Sequence, residues 1–172
     1  MNSLINPENS GDARTPEERK RAAVLGWREW IALPELQIKR IKVKVDSGAR
    51  TSALHASDIQ YFKHGGQLWA RFVIHPWQRS NRLEIHAAAR VIEQRTIRSS
   101  GGHVTHRPMI RTTIVIGHEA WPIEVTLVNR DIMGFRMLLG REAIRGRYLI
   151  DAGRSFLTRE SKRRRRKKAP AR

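Results

Sequence analysis

The stretch of sequence that decides the fold is Ile41–Ala56, which reads IKVKVDSGARTSALHA. Apolar residues and lysines alternate up to Val45, and this period is typical of a β-strand with one buried face. Asp46-Ser47-Gly48 then ends the strand, because small polar residues and glycine favour a turn. We therefore expect the carboxylate of Asp46 to be presented at the mouth of an apolar strand, in a position suited to general acid–base chemistry.

A second stretch, FRMLLGREAI at Phe135–Ile144, follows about ninety residues later. Its Leu138-Leu139-Gly140 predicts a short buried strand, and Arg141–Arg145 predicts a short helix. Pepsin-like and retropepsin-like aspartic peptidases combine an Asp-Ser/Thr-Gly-Ala loop with a later apolar-apolar-Gly strand that runs into a helix. The two stretches resemble that arrangement, so we expect the Leu138–Gly140 strand to form a hydrophobic floor beneath Asp46.

Six segments also resemble, in the same order, one bacterial family known as ATP-dependent zinc proteases and classed as retropepsin-like. They are GWREW (Gly26–Trp30), KVDSGARTSALHA (Lys44–Ala56), RPMIRTTI (Arg107–Ile114), WPIEVTL (Trp121–Leu127), NRDIMGFRMLLGR (Asn129–Arg141) and GRYLIDAGRSFL (Gly146–Leu157). The resemblance implies a retropepsin-like fold and a peptidase of the aspartic rather than the zinc-dependent type.

The pattern along the chain predicts an all-β (mainly β) protein, because many short strands are separated by turns at intervals of about eight to twelve residues. We expect a closed or nearly closed β-barrel with one short C-terminal helix and a short N-terminal helix. Hairpin turns are predicted at Lys63–Gly66 and Gly117–Glu119, and Gly65-Gly66 and Gly101-Gly102 as hairpin or flap tips. The predicted strands are Gly26–Leu33, Gln37–Val45, Ala53–Phe62, Gln67–His75, Leu83–Ile97, Met109–Ile116, Trp121–Val128, Leu138–Gly140, Tyr148–Ile150 and Ser155–Thr158.

Three parts of the chain are distinguished by composition. Residues 1–24 form a polar extension, in which Thr15-Pro16-Glu17-Glu18 predicts the start of a short helix that runs to about Val24. Residues 25–158 form the barrel domain. Residues 159–172 form a tail that contains seven consecutive basic residues, Lys162–Lys168, and is expected to be disordered.

The formal net charge is +18, and the twelve residues from Ser161 account for only eight of the 34 lysines and arginines. The remainder is therefore basic in its own right, and the expected partners are polyanions: nucleic acid, ribosome or an acidic peptide. The tail is expected to bind nucleic acid in a salt-sensitive way. No apolar run approaches the roughly 18 residues of a membrane helix and no secretion signal is visible, so a cytoplasmic protein with no membrane partner is expected.

The candidate catalytic residues are Asp46, Ser47 and Gly48, with Ser47 holding the orientation of the carboxylate. The candidate substrate-binding residues are Arg50, Thr51, His55 and Arg141. Retropepsins place substrate-contacting residues, usually acidic, just after the loop. Arg50 departs from that pattern and suggests an acidic ligand, held through a bidentate contact with its carboxylate. The alternative is an internal salt bridge from Arg50 to Glu142. For His55, the alternative to a ligand or proton carrier is a hydrogen-bonded strand histidine.

Aspartic peptidases use two carboxylates that share one proton. The chain has no second Asp-Ser/Thr-Gly, and two solutions are open. Two chains could form a homodimer in which each contributes Asp46 across a two-fold axis. Alternatively Asp131, Glu142 or Asp151 of the same chain supplies the second group, unless these carboxylates only pair with neighbouring arginines.

Neither a metal nor any other cofactor is expected. His103-Val104-Thr105-His106 has a spacing that could suit zinc, but the sequence contains no HExxH motif and no cysteine. It also lacks a Gly-rich phosphate loop of the kind that binds ATP.

The resemblance implies a link with ATP-grasp ligases that add glutamates to a ribosomal protein. The leading hypothesis is thus a peptidase that uses water activated by Asp46 to cleave an acidic peptide, such as the glutamate tails of a ribosomal protein. An alternative is a non-catalytic module of retropepsin fold that binds RNA, the ribosome or an ATP-grasp ligase. A third is a metal-dependent peptidase.

Overall fold

The computed structural model of the chain describes residues 23–78, 80–98, 104–129 and 134–158. Within these ranges the chain consists mainly of strands, joined by a 3-10 turn at Pro34–Leu36 and a short helix, α1 (Arg141–Ile144). The strands are β1 (Ala23–Gly26), β2 (Arg28–Leu33), β3 (Ile38–Asp46), β4 (Ser52–His55), β5 (Ser57–His64), β6 (Gln67–Ile74), β7 (Ile85–Arg98), β8 (Val104–Ile116), β9 (Glu119–Val128), β10 (Met137–Gly140) and β11 (Tyr148–Asp151).

Six strands close into a barrel in the order β2-β3-β10-β4-β9-β8. Closure comes from an antiparallel contact between β2 and β8, in which Ala32 faces Val115. The predicted all-β fold with a closed barrel is therefore confirmed. The barrel is filled by alternate residues of its strands, and Ile31, Ile41 and Leu139 are almost completely buried. Burial of each such aliphatic side chain stabilises the fold by about 1.5–3 kcal/mol.

Three further strands, β7, β6 and β5, continue the sheet outward from β8 and form a wing beside the barrel. Strand β8 can belong to both because it is long: its first half pairs with β7 and its second half with β9. A separate parallel pair joins β1 to β11. No helix of the described residues is long and apolar enough to span a membrane.

Strand β10 is inserted between two strands that follow each other in sequence. It runs parallel to β3 on one side and antiparallel to β4 on the other. The segment 47–51, which connects β3 to β4, must therefore cross over the end of β10. This crossing places the Asp-Ser-Gly turn directly above the strand that arrives about ninety residues later.

Two predicted strands are divided in the structure. Gly26–Leu33 is interrupted at Trp27, and Ala53–Phe62 is interrupted at Ala56. Ala56 is fully buried, and its amide donates to Val128, which ends the pairing of β4 with β9. The chain then leaves the barrel for the wing, so that β4 pairs with β9 and β5 pairs with β6.

The predicted strand at Ser155–Thr158 is wrong, because this segment has no strand pairing. The predicted hairpins are confirmed, with Gly65, Gly66 and Gly117 in left-handed backbone conformations at φ 58, 75 and 59 degrees. Such conformations favour glycine, and they explain why turns form there.

Several predictions lie outside the described residues. They are the helix from Thr15, the Gly101-Gly102 tip, His103, Asp131 and the polybasic run Lys162–Lys168. Ala23 and Val24, at the end of the predicted helix, begin β1 instead. The predicted domain boundaries at residues 24 and 158 stay predictions.

Candidate functional site

The two stretches singled out by the sequence meet at one end of the barrel. Strands β3 and β10 run in parallel register, with Leu139 opposite Val45 and Gly140 opposite Asp46. Leu139 and Val45 are both buried. The hydrophobic floor predicted beneath the Asp46 turn is therefore present.

Only glycine fits at the end of this floor. A Cβ atom on Gly140 would lie 2.4 Å from the carbonyl carbon and 2.5 Å from the carbonyl oxygen of Thr51, closer than side chains approach backbone. The amide of Gly140 also donates to the buried hydroxyl of Ser52 over 3.1 Å. The segment 47–51 is thereby held against the end of β10.

The start of α1 fixes the same segment from the other side. The amide of Arg141 donates to the carbonyl of Ala49 over 2.9 Å, and the amide of Glu142 donates to that of Arg50 over 3.1 Å. The Arg141 side chain reaches back, and its Nη1 donates to the carbonyl oxygens of Gly48 and, more weakly, Ser47. Arg141, predicted to bind substrate, thus supports the loop in this structure.

The carboxylate of Asp46 is half-buried and has two different oxygens. Oδ1 accepts hydrogen bonds from the amides of Gly48 (3.1 Å) and Ala49 (3.2 Å). Oδ2 accepts none from the described residues, and no ion pair there engages the carboxylate. One oxygen is therefore fixed by the main chain while the other can meet a ligand.

The roles of the neighbouring residues differ in detail from the predictions. The amides of Gly48 and Ala49 orient the carboxylate, and no hydrogen bond from the Ser47 hydroxyl joins them within the described part of the chain. Gly48 is not in a left-handed conformation. A Cβ there would lie 3.3 Å from Oδ1 of Asp46, so the close approach of the carboxylate is what its small size allows.

Arg50 forms an internal salt bridge to Glu142, which was the alternative to its predicted role of binding an acidic ligand. Its Nε lies 2.6 Å from Oε1 of Glu142, although 71% of the arginine side chain is exposed. This hydrogen bond raises the pKa of Arg50 and, against the opposing effect of burial, lowers the pKa of Glu142. Glu142 is thus an ion-pair partner, and Asp151 likewise pairs with Arg154 at 2.6 Å.

A cavity of about 500 Å³ opens beside the loop. It forms where β9 extends beyond its neighbour β4, so that Pro122, Ile123 and Glu124 have no strand beside them on the β4 side. Pro122 tolerates this position because it pairs only with β8. The rim of the cavity carries charged side chains. Glu142 lines it, and so does Arg111, whose Nη2 lies 3.2 Å from Oε1 of Glu124. Thr51 also lines the cavity. Asp46 does not line this cavity.

The structure brings Thr51 to the site but not His55. Thr51 Oγ1 accepts a hydrogen bond from Nη1 of Arg95 (3.3 Å), a residue of β7 that the sequence analysis did not single out. His55 is buried at the far end of β4. It lies three positions after Ser52 along the strand, which is a distance of about 10 Å. Its amide donates to the carbonyl of Arg136, as suits a strand histidine.

The described residues contain no group of three or more His, Cys, Asp or Glu side chains that could share a metal ion. The donor set in those ranges therefore does not fit a zinc centre. His106 shares a hydrogen bond with Thr96. Its sequence neighbour His103 lies outside the described ranges, so the absence of a metal site at that pair stays a prediction.

One buried carboxylate was missed by the sequence analysis. Glu29 is completely buried, and it accepts hydrogen bonds from the amides of Gly26 (2.7 Å) and Leu157 (2.8 Å) and from the hydroxyl of Thr158 (2.9 Å). It thus attaches the last described segment to β2. The signal was present, because Glu29 has the same strand parity as the buried Ile31.

Comparison with known proteins finds matches that cover the whole barrel. A family model described as "RimB-like: Retropepsin-like aspartic endopeptidase RimB" matches residues 24–161. A crystal structure of a Legionella pneumophila protein of unknown function superposes with a TM-score of 0.65 at 25% sequence identity. That superposition covers 80% of this chain and 98% of the Legionella chain.

The curated relatives are longer proteins. A probable alpha-L-glutamate ligase of Shewanella halifaxensis is 46% identical over 133 residues, which is 77% of this chain and 29% of that protein. One from Parasynechococcus marenigrum is 47% identical over 131 residues, 76% of this chain and 28% of that protein. The chain therefore spans less than a third of the length of these relatives.

Proposed function

The chain belongs to the RimB-like family of retropepsin-like aspartic endopeptidases, and we propose on that premise that it is a cytoplasmic aspartic-type peptidase in which Asp46 activates water. The observation that carries the proposal is the geometry of this carboxylate. Its Oδ1 is fixed by two amides above the Gly140 floor, and its Oδ2 is available. A general base must be held in this way before it can act on a bound water.

In the proposed reaction the ionised carboxylate takes a proton from water as the water oxygen attacks the scissile carbonyl carbon. A second, protonated carboxyl group donates a hydrogen bond to the carbonyl oxygen. When the tetrahedral intermediate collapses, the C–N bond breaks and the leaving amine takes up a proton. The two acids must lie close together, since only then do they share one proton.

We propose that the second carboxyl group is Asp46 of another copy of the chain, across a two-fold axis. Two of the three in-chain candidates favour this reading, because Glu142 is bonded to Arg50 and Asp151 to Arg154. The third, Asp131, lies outside the described residues.

We propose an acidic peptide as substrate. The chain carries a formal charge of +18, Arg50 belongs to the segment that follows Asp46, and Arg95 and Arg141 donate hydrogen bonds to that segment. The relatives named probable alpha-L-glutamate ligases support a substrate with several glutamates. In keeping with the sequence resemblance, we propose the glutamate tail of a ribosomal protein. These relatives also support an ATP-grasp ligase as partner.

The test is cleavage of a poly-glutamate peptide by the wild-type chain, by Asp46→Asn and by Asp151→Asn. Loss of a general base lowers the rate by about 100-fold or more, so Asp46→Asn should be nearly inactive. An asparagine Oδ1 can still accept the two loop amides, so folding should be kept. Asp151→Asn is the matched control and should cleave normally. Equal cleavage by the wild type and Asp46→Asn would remove Asp46 from the reaction.

Mixing tests the origin of the second acid. If the active unit contains two copies of Asp46, increasing amounts of Asp46→Asn should inhibit a fixed amount of wild type through mixed dimers. If activity stays proportional to the wild type alone, and sedimentation shows a monomer, the second acid belongs to the same chain.

The main alternative is a non-catalytic module that docks on a ligase. It is favoured by one observation, namely that the in-chain candidates Glu142 and Asp151 are each bonded to an arginine. A wild-type chain that binds the ligase or the peptide without cleaving it would establish this alternative. A metal-dependent peptidase predicts that a chelator abolishes cleavage, whereas the aspartic reaction proposed here needs neither zinc nor ATP.

A further inference from the structure

The outer face of β2 and β3 carries a row of basic side chains, which we call the β2–β3 cationic face: Arg28, Arg40, Lys42 and Lys44. Arg28 pairs with Lys44 across the two strands, and Trp30 pairs with Lys42. The alternate residues of both strands, such as Ile31 and Val43, are buried in the barrel. Strand parity thus separates an apolar inner face from a basic outer one.

The basic side chains of this face have no anionic partner among the described residues. Within the described ranges Arg50, Arg111 and Arg154 are each bonded to a carboxylate. No carboxylate of those ranges lies within 4.0 Å of the basic groups of the cationic face. Its charge is therefore not neutralised locally, and an external anion gains more there than at an arginine that is already paired.

Aromatic rings hold the guanidinium groups of the face in position. Arg28 lies between Trp27 and Phe156, at 4.5 and 5.2 Å from the ring centroids, and its Nε donates to Ser155. Its two terminal nitrogens have no acceptor among the described residues. Arg40 lies 3.9 Å above the ring of Trp30. Guanidinium groups ordered in this way lose little entropy when they bind a carboxylate.

The row of basic residues on β3 ends at Asp46, the candidate catalytic residue. Lys42, Lys44 and Asp46 have the same parity on β3, and alternate residues of a strand are about 6.7 Å apart. An extended peptide has the same repeat. A peptide lying along β3 with its scissile bond at Asp46 would therefore bring alternate side chains to Lys44 and Lys42.

We propose that the β2–β3 cationic face binds the acidic side chains of the substrate, with Lys44 and Arg28 next to the scissile bond and Lys42 and Arg40 farther along. This inference rests on the proposed function and deepens it. It assigns specificity to residues that the sequence analysis did not select, since Arg50 is occupied by Glu142 and Arg141 by loop carbonyls. An acidic peptide is favoured over nucleic acid because the row ends at Asp46.

Binding can be tested without turnover. In the Asp46→Asn chain, a short fluorescein-labelled poly-glutamate peptide is titrated against the parent, Lys42→Gln/Lys44→Gln and Lys63→Gln/Arg90→Gln. The last pair is the matched control, because it removes two exposed charges from the wing. We expect about 10-fold weaker binding for the face variant at low salt and a change within about 2-fold for the control.

Turnover gives the second readout. In the active chain, Lys42→Gln/Lys44→Gln should raise KM about 10-fold for the poly-glutamate peptide and leave kcat within about 2-fold. Lys44→Glu should reverse the preference, so that a peptide with lysine next to the scissile bond is cleaved better than one with glutamate. Circular dichroism checks that each variant is folded.

Three results would overturn the inference. The first is equal loss of binding in the face variant and the wing control, which would show that only total charge matters. The second is a larger loss for Arg50→Gln than for the face variant. The third is displacement of the peptide by a poly-uridine RNA that binds the same lysines more tightly. A wild-type chain that does not cleave, but whose face binds the peptide as expected, would overturn only the proposed catalysis.

Discussion

The floor of the candidate site and the rim of the neighbouring cavity are stabilised by different kinds of interaction. The hydrophobic floor is held by backbone contacts and buried hydrogen bonds: Gly140 lies under Thr51, its amide donates to the Ser52 hydroxyl, and the amides of α1 donate to carbonyls of the loop. The rim consists of exposed ion pairs, Arg50 with Glu142 and Arg111 with Glu124. Main-chain geometry is insensitive to salt and pH, whereas exposed ion pairs are screened and titrate.

This difference indicates which part sets position and which part can adapt. A carboxylate that must be held for chemistry is fixed by groups without rotamer freedom. The side chains around the cavity can exchange partners at little cost. Substitutions in the floor should therefore affect stability and activity together, and substitutions in the rim should affect mainly charge.

The largest effect is expected for Gly140→Ala. The added methyl would meet backbone atoms of Thr51 at 2.4 and 2.5 Å, which cannot move without displacing the Asp46 loop. Overpacking of this kind costs about 1–3 kcal/mol, and we expect the upper end together with loss of peptide cleavage. Thermal unfolding measures the first and the peptide assay the second. Gly65→Ala is an instructive contrast, because nothing lies within 4 Å of its Cβ position and only its positive φ resists the change.

A smaller loss is expected for Ser52→Ala. It removes the acceptor of the Gly140 amide and leaves a buried donor unsatisfied, and we expect a cost of about 1 kcal/mol, the lower end of the usual penalty. Urea unfolding should show a lower midpoint with an unchanged slope. Ser57→Ala in the wing serves as control. An unchanged midpoint for Ser52→Ala would mean that the floor does not depend on this bond.

The smallest effect is expected for Arg50→Gln. The bond to Arg50 lowers the pKa of Glu142 in the folded chain, so the pair stabilises the fold above the unfolded pKa of the glutamate. That contribution is lost as pH falls through the folded pKa. The variant should be slightly less stable than the wild type at neutral pH, and the difference should disappear in acid or at high salt.

NMR titration of the Glu142 carboxyl gives the direct measurement for that variant. Its pKa should rise towards the ordinary value when Arg50 is replaced. If the wild type and Arg50→Gln titrate alike, the bond seen in the structure does not persist in solution.

The floor was predictable from sequence, and most of the rim was not. The alternation before Asp46 and the run Leu138-Leu139-Gly140 each have a local period, and the family resemblance joined them across the chain. Ion pairs leave no such period, because any exposed arginine can reach several carboxylates. The Arg50–Glu142 pair was therefore only one of two alternatives, and Arg95 was not considered.

Strand partners were also beyond the reach of periodicity. Ala53–Phe62 was predicted as a single strand, yet β4 belongs to the barrel and β5 to the wing. The strand predicted at Ser155–Thr158 failed for a related reason. That segment is attached to β2 by the buried carboxylate of Glu29 and by the amide of Phe156, which donates to the carbonyl of Arg28, without a regular strand pairing.

The insertion of β10 between β3 and β4 has a consequence for the timing of biosynthesis. Ribosomes add about 5–20 residues per second, so Gly140 is made roughly 5–20 s after Asp46. Until then the nascent chain has neither the floor nor the amides of α1 that fix the loop. If Asp46 acts as proposed, we expect it to be inactive on the ribosome, because the loop that would orient its carboxylate is not yet fixed.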